Sequence, residues 1–199
     1  TVSEDRVVQT TRVEERQIGW YDPLAQSFIV EEEGGMFLSG VDVFFNTKDT
    51  NIPISMQIRT MENGYPTKTI LPFSDVTITP DTIDISTSAA VPTRFTFRAP
   101  VYIKASVEYC FVLLSDSNEY QVWISRMGDV DVTGTRTISE QPYAGVLFKS
   151  QNASTWTADQ MEDLKFRVSR AKFDTNTQAE IYLQNNERDD NGNDLLVAH

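Results

Sequence analysis

The sequence predicts an all-β protein: an antiparallel β-sandwich, jelly-roll-like, with an extended arm at each end. Three observations carry that expectation. Short apolar or alternating runs recur between Trp20 and Phe173. Gly, Pro, Asn and Asp separate them, and these residues terminate strands or build turns. No long stretch places its apolar residues at helical spacing.

The elements follow in chain order. Residues 1–19 are polar and charged, with Val7, Val8, Val13 and Ile18 in neither a clean helical stripe nor a clean strand. They read as an arm or linker, with an isolated amphipathic helix as the alternative. Residues 20–173 read as the sandwich. Its runs are AQSFIV, MFLSGVDVFF, ISMQIRT, DVTIT, RFTFRAPVYI, EYCFVLL, YQVWISR, AGVLFKS and LKFRVSR. Ile54, Met56 and Ile58 alternate with Ser55, Gln57 and Arg59, and Phe95 and Phe97 flank Thr96. Leu164, Phe166 and Val168 alternate with Lys165 and Arg167. Period two marks strands with one buried face. EYCFVLL is continuous, as a central strand is. Asn63-Gly64-Tyr65-Pro66 is a turn, and Pro100 belongs at an edge or bulge. SDSN (115–118) and MGDVDVTG (127–134) are loops. TADQMEDL (157–164) predicts a short helical turn, with Thr157 as cap and Asp159 facing the helix dipole. The expected core holds Phe95, Phe97, Phe111, Leu113, Phe148 and Phe166. Residues 174–199 are polar apart from EIYL and LLV. They read as a second arm, or a linker to a further domain.

Composition removes whole classes of chemistry. The 17 basic and 29 acidic residues leave a net charge of −12. Duplex nucleic acid demands a basic footprint and an anionic membrane surface attracts one, so neither is an expected partner. No apolar run approaches the length of a membrane helix. One Cys permits no intrachain disulfide, and Cys110 in its apolar run reads as an inert core thiol. The single His is His199, which leaves no histidine base for a nucleophilic triad. No signal peptide is visible, and a start at Thr1 suggests a processed product or an excised fragment.

Carboxylate and oxygen-ligand chemistry remain, and the spacings do not favour them. In DDNGND (189–194) the Gly falls at the fourth position, where a calcium loop needs it at the sixth. Asp129 and Asp131 are short of ligands, and Glu31, Glu32 and Glu33 form a run that repulsion keeps solvated. Asn152-Ala153-Ser154 matches a glycosylation acceptor by chance spacing. No enzyme is expected, and no cofactor or metal. Exposed rings are the one binding chemistry worth carrying forward. Trp20, Trp123, Trp156, Tyr120 and Tyr143, with Tyr65, are candidates to stack on sugar faces. The alternative places most of them in the core or over an edge.

Several segments, taken in order, carry a family likeness. They are DPLAQSFIV (22–30), FLSGVDVFFNTKD (37–49), ISMQIRTMENGYPTKTILPFS (54–74), residues 95–128 and residues 141–173. This series resembles a β-sandwich domain of tailed-bacteriophage structural proteins, of the baseplate and tail type found in T4-like contractile-tailed phages. The likeness spans residues 20–173 and brings no catalytic residues. It implies a non-enzymatic structural module of a virion tail or baseplate, assembled in the host cytoplasm. Its expected partners are other virion structural proteins, in a homo- or hetero-oligomer, with the arms carrying the contacts. The alternative is a carbohydrate- or receptor-binding module, with a glycan as ligand.

Overall fold

A computed structural model describes residues 22–132, 134–139, 145–174, 176–178 and 180. The N-terminal arm, Trp20, Tyr143 and the DDNGND stretch lie outside the described residues.

Two sheets face one another. The first contains β1 (Leu24–Ile29), β4 (Ile54–Glu62), β5 (Tyr65–Ile70), β6 (Val76–Ile78), β8 (Glu108–Ser115), β11 (Leu147–Ser150) and β12 (Trp156–Asp159). Its order is β12-β11-β1-β8-β4-β5, and β6 pairs with β4 beside β5. The second is built on β14 (Phe166–Arg170), β2 (Met36–Val43) and β7 (Thr93–Ile103), in that order. All the strand pairings are antiparallel. The chain crosses repeatedly between the sheets.

At one end the second sheet splays. Here β9 (Gln121–Val122) pairs with β3 (Phe45–Thr47), and β10 (Ile124–Arg126) pairs with β13 (Glu162–Leu164). The segment enters as a wedge. Trp123 N–H donates to the Phe44 carbonyl at 2.9 Å, and Lys165 N–H donates to the Trp123 carbonyl at 2.9 Å. The run LKFRVSR is therefore two strands that pair with different partners.

The main core fills the space between the sheets. The first sheet sends in Phe28, Ile54, Met56, Ile58, Phe111, Leu113 and Leu147; the second answers with Leu38, Val41, Val43, Phe95, Phe97, Val101 and Ile103. This is the alternation read from the sequence, carried into packing. Of the expected core residues, Phe95, Phe97, Phe111, Leu113 and Phe148 are buried. Phe166 is half-buried instead, at the rim, with its ring 5.1 Å from that of Phe111. Phe148 is buried on the opposite face of the first sheet.

That opposite face is closed as well, because the sheet curls. The Tyr65 ring on β5 meets the Phe148 ring on β11 at 5.9 Å, although β1, β8 and β4 lie between the two strands in the sheet. Ala25, Cys110, Val112, Leu114, Phe148, Ala153 and Trp156 form a second cluster inside the curl. Strand β8 is consequently buried on both faces, which explains its continuous apolar run.

Two local expectations are corrected. TADQMEDL contains no helical turn: β12 and β13 flank a tight turn, and Asp159 Oδ1 accepts from Met161 N–H there. Lys149 overrides the weak local signal. It bonds Asp159 at 3.1 Å and Glu162 at 2.5 Å, which holds the two arms of the turn as strands. The stretch after Asn63-Gly64 is strand β5, although Pro66 lies within it. The turn itself is as expected, with positive φ at Asn63 (51°) and Gly64 (77°). Pro66 faces Met61 beside a register shift, where a missing donor is tolerated. Pro100 sits in a similar irregularity, where the β2–β7 register jumps between Leu38 and Gly40.

Candidate functional site

Among the described residues, the aromatic side chains expected to stack on sugars, Trp123, Trp156, Tyr120 and Tyr65, do not converge. Trp156 is 7% exposed and belongs to the second core cluster, so it offers no face to a ligand. Its indole N–H finds no acceptor among the described residues. Trp123 is half-buried, and its indole N–H donates to the Ser86 carbonyl at 2.7 Å. Tyr120 is half-buried against Phe45, and its hydroxyl donates to the Ile52 carbonyl. Desolvation pushes the Tyr120 phenol up to about 12. Tyr65 is exposed, but it shares its ring with Phe148. These rings do structural work at separate places. The reason is the same in each case: a large ring gains more by covering a neighbour than by standing in water.

The polar clusters are likewise consumed by the fold. Ser117 Oγ donates to Asp49 Oδ2 at 2.5 Å and accepts from Glu119 N–H. Asp49 Oδ1 accepts from the N–H groups of Asn51 and Ile52. Those backbone bonds, with Ser117, hold the Asp49 carboxyl below its ordinary range. Ser117 and Tyr120 line a small cavity of about 110 Å³. The Asp49–Ser117 pair closes a loop. Buried Glu162 lies between Arg126 at 3.1 Å and Lys149 at 2.5 Å, bridging β10, β11 and β13. Asp131 accepts from Thr135 and Arg136 N–H and so holds the turn that follows it. Asn152 Oδ1 accepts from Ser154 and Thr155 N–H and caps its own turn. Inside the curl, burial pushes the Cys110 thiol up to about 12, which keeps it protonated and inert. Arg59 is 7% exposed beside it, and donates to the Ala153 carbonyl at 3.1 Å and to Gln57.

One surface stands apart, and the sequence reading missed it. It is the outer face of β14-β2-β7. Arg94, Thr96, Arg98 and Tyr102 are exposed along β7, and Phe37 projects beside them from β2. The Phe37 ring lies 5.1 Å from Tyr102 and 5.3 Å edge-on to Phe173. Phe37 is 41% exposed, Tyr102 47% and Phe173 56%, so this is an open aromatic cluster. Beside it a shallow cleft of about 330 Å³ is lined by Glu32, Phe37, Arg170 and Phe173.

Electrostatics distinguishes the same face. The three strands carry Arg94, Arg98, Arg167 and Arg170, with Asp42 as their one acid. Asp42 is buried, and Arg94 and Arg167 stand opposite it in register on either side. Arg94 grips it through two bonds of 2.6 and 3.0 Å, and this bidentate pairing holds the guanidinium more firmly protonated. Arg167 approaches to 3.8 Å. Arg170 is paired with Glu32 at 2.8 Å, so the basic surplus of the face rests on Arg98 and on the second guanidinium at Asp42. The composition concealed this, because net charge averages over surfaces that do not mix.

Glycine makes the close approach at this face possible. A Cβ on Gly40 would lie 2.5 Å from the Phe95 carbonyl oxygen, and one on Gly35 would lie 2.3 Å from that of Ile103. Both would push β2 away from β7.

No family model, no curated protein and no solved structure matches the chain.

Proposed function

We propose that this chain is a non-enzymatic structural module of a bacteriophage tail or baseplate, joining subunits of the virion as it assembles in the host cytoplasm. The likeness of residues 20–173 to such domains motivates the assignment. The observation that carries the assembly role is the open Phe37–Tyr102–Phe173 cluster on a basic sheet face of an acidic protein. Monomeric surfaces rarely leave contiguous rings in water, and a basic frame around them favours an acidic partner. The polar clusters support the same reading, since their hydrogen bonds are spent on turns and strand joints. The stacking role of Trp156 is withdrawn because that ring is buried.

The test is co-sedimentation of the full chain with the structural proteins of its parent virion. Tyr102→Ser combined with Arg98→Glu should abolish co-sedimentation and leave the circular-dichroism spectrum unchanged. Undiminished co-sedimentation of the folded variant would overturn the assignment of this face.

A further inference from the structure

We propose that the outer face of β14-β2-β7 is the docking site for the acidic C-terminal segment of the same chain, residues 181–199. The inference concerns what covers the face, and it rests on the assembly reading only in using the same surface.

Three observations lead to it. The first is continuity. The last strand hands the chain directly to this face: Ala171 N–H donates to the Phe37 carbonyl at 2.7 Å, and Phe173 packs its ring on Phe37. The segment that follows therefore starts at the patch, which gives it a high effective concentration there. The second is charge. Residues 181–199 carry Glu187, Asp189, Asp190 and Asp194 against Arg188, and the face carries Arg94, Arg98 and Arg167 around the neutralised Asp42. In a chain of net charge −12, this is a surface on which an acidic segment is attracted rather than repelled. The third is apolar content. Ile181, Tyr182 and Leu183 supply side chains that the exposed Phe37 and Tyr102 rings can cover, and that have too few neighbours in sequence to build a core.

Reach is sufficient. From Tyr102 back to Arg94, β7 spans roughly 26 Å at about 3.3 Å per residue. An extended chain from Phe173 to Glu187 covers roughly 46 Å by the same measure. The segment can reverse direction after Phe173 and bring its acids over Arg98, Arg94 and Arg167.

The experiment is amide hydrogen exchange on the full chain at low concentration and low salt. Docking slows exchange across 181–198 by about tenfold relative to a free peptide of that sequence. Arg98→Glu with Arg167→Glu should remove the protection, leaving Arg94 to hold Asp42. Adding Asp189→Lys and Asp190→Lys to that variant should restore it. Amides of β8 in the same data report whether each variant is folded. Exchange at the free-peptide rate in the folded wild-type chain would overturn the proposal. So would protection that survives the reversal in a folded variant, or that grows with protein concentration, since the last result means donation by a neighbouring copy. The segment covers the face in the free chain and a virion partner displaces it on assembly; exchange in the free chain and co-sedimentation are read separately, so the two ideas fail separately.

Discussion

The two sheets treat their outer faces differently. The first sheet curls until β5 and β11 touch through Tyr65 and Phe148, and seals Cys110, Val112 and Trp156 inside. The second stays open, with Arg94, Arg98, Tyr102 and Phe37 in water. Charge follows the same division. Strands of the first sheet carry Arg59, Lys68 and Lys149 against Glu62, Glu108 and Asp159, whereas the three strands of the second carry four arginines against Asp42. A sheet can satisfy its second face by closing on itself, or leave that face as a surface to be covered later. The first route gives a strand buried on both sides, and the second an alternating strand whose polar half remains exposed.

The largest test of that contrast is Phe111→Ala. Phe111 is fully buried on the doubly covered strand β8, so its loss should cost about 3–5 kcal/mol in denaturant melts. A cost under about 1 kcal/mol would mean the core repacks freely, and that the two-sided burial of β8 matters little. Phe166→Ala should cost about 2 kcal/mol, because that ring is half-buried at the rim. Equal losses at the two sites would erase the distinction between centre and rim.

A smaller, pH-dependent effect probes the joint between β13 and β1. Burial raises the Asp163 carboxyl above its ordinary range, although Gln26 Nε2 donates to it at 2.9 Å. The folded carboxyl is therefore harder to ionise than the unfolded one. Ionisation opposes folding, and its cost appears as pH rises through the folded-state pKa and is absent below the unfolded value. Asp163→Asn keeps the acceptor and removes the charge. It should be more stable than wild type at pH 7, with the gap closing as pH falls into the carboxyl range. A gap that persists in acid would sink this account.

The smallest effects belong to the open face and the sealed thiol. In the Arg98→Glu, Arg167→Glu background, where the C-terminal segment is released, Tyr102→Ser should change stability by no more than about 0.5 kcal/mol in thermal or denaturant melts, because the ring is then wet. A larger loss in that background would mean that something other than the segment covers the face. Cys110 should resist alkylation in the native protein and react at once in denaturant, since its thiol is protonated and enclosed. Rapid native labelling would show that the curl of the first sheet opens.

Much of this architecture was legible in the residues. Period two in ISMQIRT and RFTF located β4 and β7 and their buried sides, because side-chain alternation is a local property of an extended backbone, and the continuous run EYCFVLL located β8. Asn63-Gly64 announced its hairpin turn for an equally local reason, the positive φ its two residues accept. The placement of the rings could not be read this way. Trp156 and Trp123 look equally available as letters. Which one is buried depends on the curl of a sheet whose strands are far apart in sequence.

Sequence alone thus determined the all-β class, the strands that alternate, and the lack of an intrachain disulfide within these 199 residues, since those depend on residue type and spacing. Tertiary structure decided the rest. Only long-range pairing split LKFRVSR between two partners, turned TADQMEDL from a helical turn into strands around Lys149, and gathered four arginines from distant segments onto one face. Net charge is a sum over the chain, whereas recognition acts on a surface. The fold alone determines which charges share one.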